Sequence, residues 1–187
     1  MNKNIKRLLL ALTTCFITIS CKNDVMPKPK AYLNLEYPNA HYINFKKACQ
    51  YEFKYNSLSN IKDQGECNFH IDYPKLKATV YLNYRPVQNN IETLLRDAQK
   101  LTYEHVVKAD NITEQPYINS EHKKFGMFYE VGGNAASQSQ FYVTDSTKHF
   151  LMGSIYFYAK PNFDSVLPAA HYIKNDLKVL MESLKWK

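Results

Sequence analysis

The apolar positions along the chain fall into three patterns, and each predicts a different element. Residues 8–19 are apolar apart from threonines and Cys15, and they follow Lys3, Lys6 and Arg7. A basic start, a short apolar run and the small residue Ser20 form a secretory signal over residues 1–20. The run is too short for a membrane span, which takes about 20 residues. Residues 77–84 (KATVYLNY) instead alternate, with Ala78, Val80, Leu82 and Tyr84 on one side, as in a half-buried strand. The period then changes: Ile91, Leu94, Leu95, Ala98, Leu101, Thr102 and His105 fall on one helical face. Asn89 and Glu92 stand at the spacing of a capping box, which predicts the start of that helix.

Strand-like runs return around Tyr117 and over residues 126–131, 138–144 and 149–159. Gly132-Gly133-Asn134 and Asp145-Ser146-Thr147-Lys148 supply the turns between the last three. Residues 150–158 are almost continuously apolar, which predicts a central strand covered on both faces. A helix over about 165–185 closes the chain, with Pro168 expected in its first turn. Its buried stripe is Ile173, Leu177, Leu180, Met181 and Leu184. Strands, helix, strand meander and helix predict one α+β domain over residues 32–187, an antiparallel sheet with helices packed on it. Residues 21–31 read as a tether that Pro27 and Pro29 stiffen.

Chemistry enters first at the expected cleavage point. Thr18-Ile19-Ser20-Cys21 places a cysteine directly after the cut. Its thiol would accept diacylglycerol and its freed amine a further acyl chain, and two or more chains anchor a protein stably in membrane lipid. Only Asp24 is acidic just after Cys21. That predicts a membrane-anchored lipoprotein facing the periplasm.

Composition narrows the function. Removing the signal takes three of the 24 basic residues, leaving 21 against 17 acidic ones, a net charge of +4. That is too mild for a nucleic-acid footprint, although it would suit anionic lipid or cell-wall carboxylates. With Cys15 discarded and Cys21 lipidated, Cys49 and Cys67 remain as one pair. In an oxidising compartment a disulfide between them is the default expectation. The alternative is a metal site, since Cys67 and His70 have C-x-x-H spacing, but no second such pair completes four ligands.

The search for catalysis finds little. Histidines stand at 41, 70, 105, 122, 149 and 171, and none pairs with another at two-ligand spacing. Gly132-Gly133 lies between strands and opens no helix, so it lacks the context of a phosphate loop. Asp145, Ser146 and His149 lie close together, and turn chemistry explains them better than a triad. A site assembled from distant residues such as His70, Glu104 and His149 is the only enzymatic arrangement left to consider. The expectation is a non-enzyme without a cofactor.

The most unusual polar stretch is residues 133–142 (GNAASQSQFY), where glutamines and serines enter a strand instead of ending at a turn. Asn134, Ser137, Gln138, Gln140 and Tyr142 form the candidate interaction surface, beside Tyr129. All fifteen tyrosines lie beyond the signal, and tyrosine is favoured in contact surfaces. A cell-wall binding module is the competing expectation, motivated by the mild basicity and the tyrosines.

Three long stretches, DYPKLKATVYLNYRPV, LLRDAQKLTYEHVVKADNI and GMFYEVGGNAASQSQFYVTDSTKHFLMGSIYFYAKPNFDSVLPAAHYIKNDL, resemble the gliding-motility lipoprotein GldD family of Bacteroidetes. The resemblance runs from about residue 29 to 186 and includes the cysteine pair. It implies a role in gliding motility and in type IX protein secretion. It also implies partnership with the membrane protein GldE and with other gliding or secretion components. Only the lipid-bearing cysteine transfers with a defined role, onto Cys21.

Overall fold

Strand-period runs pair into two antiparallel meanders that meet at the centre of one sheet. The computed structural model describes residues 35–104, 108–158 and 163–187, all within the unit Tyr32–Lys187. Its strands are β1 (Tyr42–Phe45), β2 (Tyr51–Asn56), β3 (Asn60–Asp63), β4 (Phe69–Tyr73), β5 (Ala78–Pro86), β6 (Ala109–Asn119), β7 (Lys124–Gly133), β8 (Ser139–Thr144), β9 (His149–Phe157) and β10 (Lys185–Trp186). Helix α1 spans Ile91–Tyr103 and α2 spans Phe163–Ser183. The fold is α+β, as the patterning predicts. The signal at residues 1–20, Cys21, the tether and His105 lie outside the described residues.

The seven-stranded sheet runs β3-β4-β5-β9-β8-β7-β6. Chain order explains the layout. The first meander ends on β5, and α1 carries the chain to the far edge at β6. The second meander then walks back until β9 pairs with β5. That places β9 at the centre, as its apolar run predicts. A three-stranded sheet, β1-β2-β10, is separate from it.

The sheet separates two cores. On one face, Val80, Leu82, Val143, Leu151 and Ile155 pack with Ile173, Leu177 and Leu180 of α2 and with Tyr51 and Phe53 of β2. On the other, Ala98 of α1 meets Tyr129, Tyr142 and Phe150, with Ile91, Leu94 and Leu95 packed alongside. Both expected helical stripes therefore bury their apolar side, which is where helices of this length gain most of their stability.

Several local expectations are corrected. Asn89 takes a left-handed φ of 58°, so Asn90 becomes the residue before α1. The Asn90 side chain turns back to accept from the Gln88 N–H at 2.7 Å and makes no cap bond. The capping box does not form. Helix α2 begins at Phe163, which puts Pro168 in its second turn, and it stops at Ser183 because β10 pairs with β2.

Gly153 faces Phe141 across β8 and β9, and a Cβ there would collide with the Phe141 ring. That ring is buried (2% exposed) in a close-packed interior, where displacing it is costly. Gly153→Ala is expected to cost about 2 kcal/mol by overpacking. Urea unfolding measures it.

Candidate functional site

The expected interaction surface is mostly interior. Ser137, Gln138, Gln140 and Tyr142 are buried (0–9% exposed), and of the candidate set only Asn134 is exposed. For Gln140 and Tyr142 the physical reason is the path of α1, which covers this face of β7–β9 with Ala98 and Thr102, whereas Gln138 lies beside the start of α2. Gln140 Oε1 accepts from the Thr102 hydroxyl at 3.1 Å. Gln138 Nε2 donates to the Ala135 carbonyl at 2.8 Å. Tyr142 stacks on Phe150 at 5.5 Å, with Tyr129 at 6.4 Å. The polar segment is therefore covered rather than presented, with α1 hydrogen-bonded onto Gln140.

The bonding is incomplete. Gln138 Oε1 and Gln140 Nε2 are buried without partners among the described residues. Gln138 borders a cleft of about 160 Å³ between β6, β7 and the start of α2, together with Asn111, Glu130, His171 and Lys174. Glu130 accepts from Lys174 at 2.9 Å and Lys178 at 3.1 Å. Burial alone would raise the Glu130 carboxyl, but these two ammonium groups outweigh it and hold it below its ordinary range. The charges in the cleft are therefore spent on one another and clamp α2 to β7.

The best-formed polar cluster joins residues more than 100 positions apart and is not among the expected sites. The Asp176 carboxylate, 4% exposed on α2, accepts from Tyr42 at 2.6 Å, Asn56 Nδ2 at 2.9 Å and Tyr73 at 2.9 Å. Burial, reinforced by Asp176, pushes both tyrosine hydroxyls well above their ordinary value. They stay protonated and donate. Asp176 thus ties β1, β2 and β4 to α2.

Asp145 and His149 also resolve into structure. Asp145 Oδ1 accepts the backbone N–H of Thr147 at 3.1 Å, Lys148 at 2.8 Å and His149 at 2.8 Å. That is the turn chemistry expected. His149, 7% exposed, shares a 2.8 Å hydrogen bond with the Tyr84 hydroxyl through Nδ1 and stacks on Trp186 at 5.1 Å. Burial pulls the imidazole below its ordinary value, and Asp145 only partly offsets it.

His149 is therefore neutral in the fold and ionises more readily once unfolded, near 6.5. Below that pH the unfolded chain binds the extra proton. Stability is expected to be full above about pH 6.5 and to fall through the window beneath it, down to the folded value. His171 is exposed on α2, so its lowering by partial burial and by Lys174 adds at most a small slope of the same sign. In urea titrations across pH 8 to 5, His149→Gln should flatten part of the slope; an unchanged slope would show that His149 does not carry it.

Cys49 and Cys67 are joined in a disulfide with Cα atoms 5.6 Å apart. The Cys67 sulfur is thereby unavailable to a metal, and no group of three metal-ligating side chains occurs among the described residues. The His70, Glu104 and His149 grouping does not form. His70 lies level with Tyr81 and Ser154, five residues along β9 from His149, a span of roughly 17 Å. Strand alternation puts the two histidines on opposite faces of the sheet. His70 instead packs its ring against Tyr81 at 4.4 Å.

The fold and site define an α+β domain whose buried polar groups are occupied in holding elements together. The family model described as gliding motility lipoprotein GldD matches residues 22–186. The chain belongs to that family, the lipoproteins of gliding motility, and is a membrane-anchored protein of the cell envelope. No curated protein matches it at a significant level. No helix among the described residues is long and apolar enough to cross a membrane.

Proposed function

We propose that this protein is an accessory or assembly factor for gliding motility and type IX protein secretion, anchored through lipid on Cys21 and acting by protein–protein contact. The family match supports the process. The observation that carries the contact reading is an exposed edge. β6 is a terminal strand of the large sheet, and its Ile118 is 70% exposed. Pro116 removes one donor from β6, which an edge strand tolerates and which discourages indiscriminate strand pairing. Contact there would run through side chains. The membrane protein GldE and other gliding or secretion components are the partners this reading names, with the domain facing the periplasm.

A photoreactive residue placed at Ile118 in cells tests it. The expected result is capture of GldE or a secretion component. Recovery of neither, from position 118 or from Asn134, would overturn the contact assignment. A cell-wall binding module is the second reading. It is favoured by the ring row His70, Tyr81 and Tyr156, with centroids 4.4 and 5.5 Å apart, on the sheet face that carries α1 farther along. Co-sedimentation with purified peptidoglycan checks this, and no pelleting at low salt would end it.

A further inference from the structure

We propose that the end of the domain where the tether enters is a docking face for an anionic phospholipid bilayer. The inference rests on lipid anchoring at Cys21 and adds an orientation to it. Tyr37, the third residue described, stacks on Tyr172 of α2 at 5.1 Å, and the Tyr172 hydroxyl donates to the Pro38 carbonyl at 3.0 Å. Residues 37 and 38, on the N-terminal side of β1, are therefore fixed to α2 at this place.

Apolar side chains surround that place. Leu58, in the turn between β2 and β3, and Leu35 are each 50% exposed. Leu58, Tyr37, Tyr73 and Leu76 wall a cavity of about 80 Å³ with Lys75 at its side. Lys75 and Leu76 belong to a short 3-10 turn, Pro74–Leu76, between β4 and β5. Tyr158, 64% exposed, adjoins this turn, since its N–H donates to the Lys77 carbonyl at 2.7 Å. Lys75 and Lys77 have no carboxylate partner among the described residues, while Lys62 holds Asp72 at 2.6 Å. Between Cys21 and Pro38 the chain carries two acidic residues, Asp24 and Glu36, against Lys22, Lys28 and Lys30.

Half-exposed leucines, tyrosines and unpaired lysines together suit the boundary of a bilayer. Apolar side chains enter it, tyrosines sit at headgroup depth, and lysines reach anionic lipid. The bilayer is favoured as occupant because the tether delivers it here. Cys21 and Leu35 are fourteen residues apart, a reach of at most about 50 Å, so lipid stays at high local concentration beside this face. A second membrane contact also strengthens an acyl anchor.

The test uses the mature lipidated protein in vesicles of phosphatidylethanolamine and phosphatidylglycerol, with a trace lipid carrying a photoreactive headgroup. Crosslinked peptides are mapped by mass spectrometry. Crosslinks are expected at residues 57–59 and 73–77. Leu58→Glu with Lys75→Glu should reduce them roughly fivefold, with labelling beside Cys21 and the melting temperature retained. Lys148→Glu, in the turn before β9 and at the far end of that strand from Tyr158, should leave these crosslinks as in wild type. Crosslinks confined to residues 21–34, or a double variant matching wild type, would overturn the docking face. An unacylated Cys21 in the intact mass would overturn the anchoring reading instead. Flotation of the chain with the same vesicles then tests the face alone, and wild type and double variant floating equally would overturn it.

Discussion

Asp176→Ala is expected to lower the unfolding free energy by about 3 kcal/mol, the largest loss of any single polar truncation in this domain. The carboxylate is buried and accepts from Tyr42, Asn56 and Tyr73. Removing it leaves the Tyr73 hydroxyl, buried, and the Tyr42 hydroxyl, part-buried, without their acceptor, while Asn56 Nδ2 keeps the Tyr172 hydroxyl at 3.0 Å. An unsatisfied buried donor costs about 1–3 kcal/mol, although water entering the space left by the carboxylate would reduce the sum. The partners sit on β1, β2 and β4, so the damage is not local to α2. Asp176→Asn keeps one acceptor oxygen and should lose less than the alanine variant. Urea midpoints for the two variants decide the matter. A loss under about 1 kcal/mol for Asp176→Ala would show that the tyrosine hydroxyls find other partners.

Cys49→Ser is expected to cost about 3 kcal/mol, because the disulfide closes a loop with a sequence separation of 18. It joins the stretch entering β2 of the small sheet to the stretch entering β4 of the large one. The Cys67 carbonyl also accepts from the Tyr51 hydroxyl at 2.7 Å, so reduction loosens a contact between the two sheets. Wild-type protein held in reductant should unfold at the same denaturant concentration as the variant. If both thiols label freely in native exported protein, the bond is not formed in the cell and the variant should be neutral.

The sequence makes these two clusters unequally visible. Two cysteines left over after export can be paired by counting. Asp176 lies 134, 120 and 103 residues from its partners, and no spacing rule spans such distances. Its one local signal is position: Asp176 falls between Ile173 and Leu177, on the buried stripe of α2. A carboxylate there implies donors opposite. The periods of β5, α1 and α2 were legible because burial on one face imposes them directly. The glutamine segment is harder to read, because its composition does not show that the crossover from β5 to β6 lays α1 over Gln140 or that Gln138 precedes β8 beside α2. β10 gave no signal, since two residues carry no period.

Exporting the domain without its lipid separates the contribution of anchoring from that of the fold. A strain producing residues 22–187 behind a conventional cleavable signal would export the domain without lipid. With the domain present and folded in the periplasm at wild-type amounts, the prediction is loss of gliding and of type IX secretion. Gliding at the wild-type rate from the unanchored domain would contradict the account.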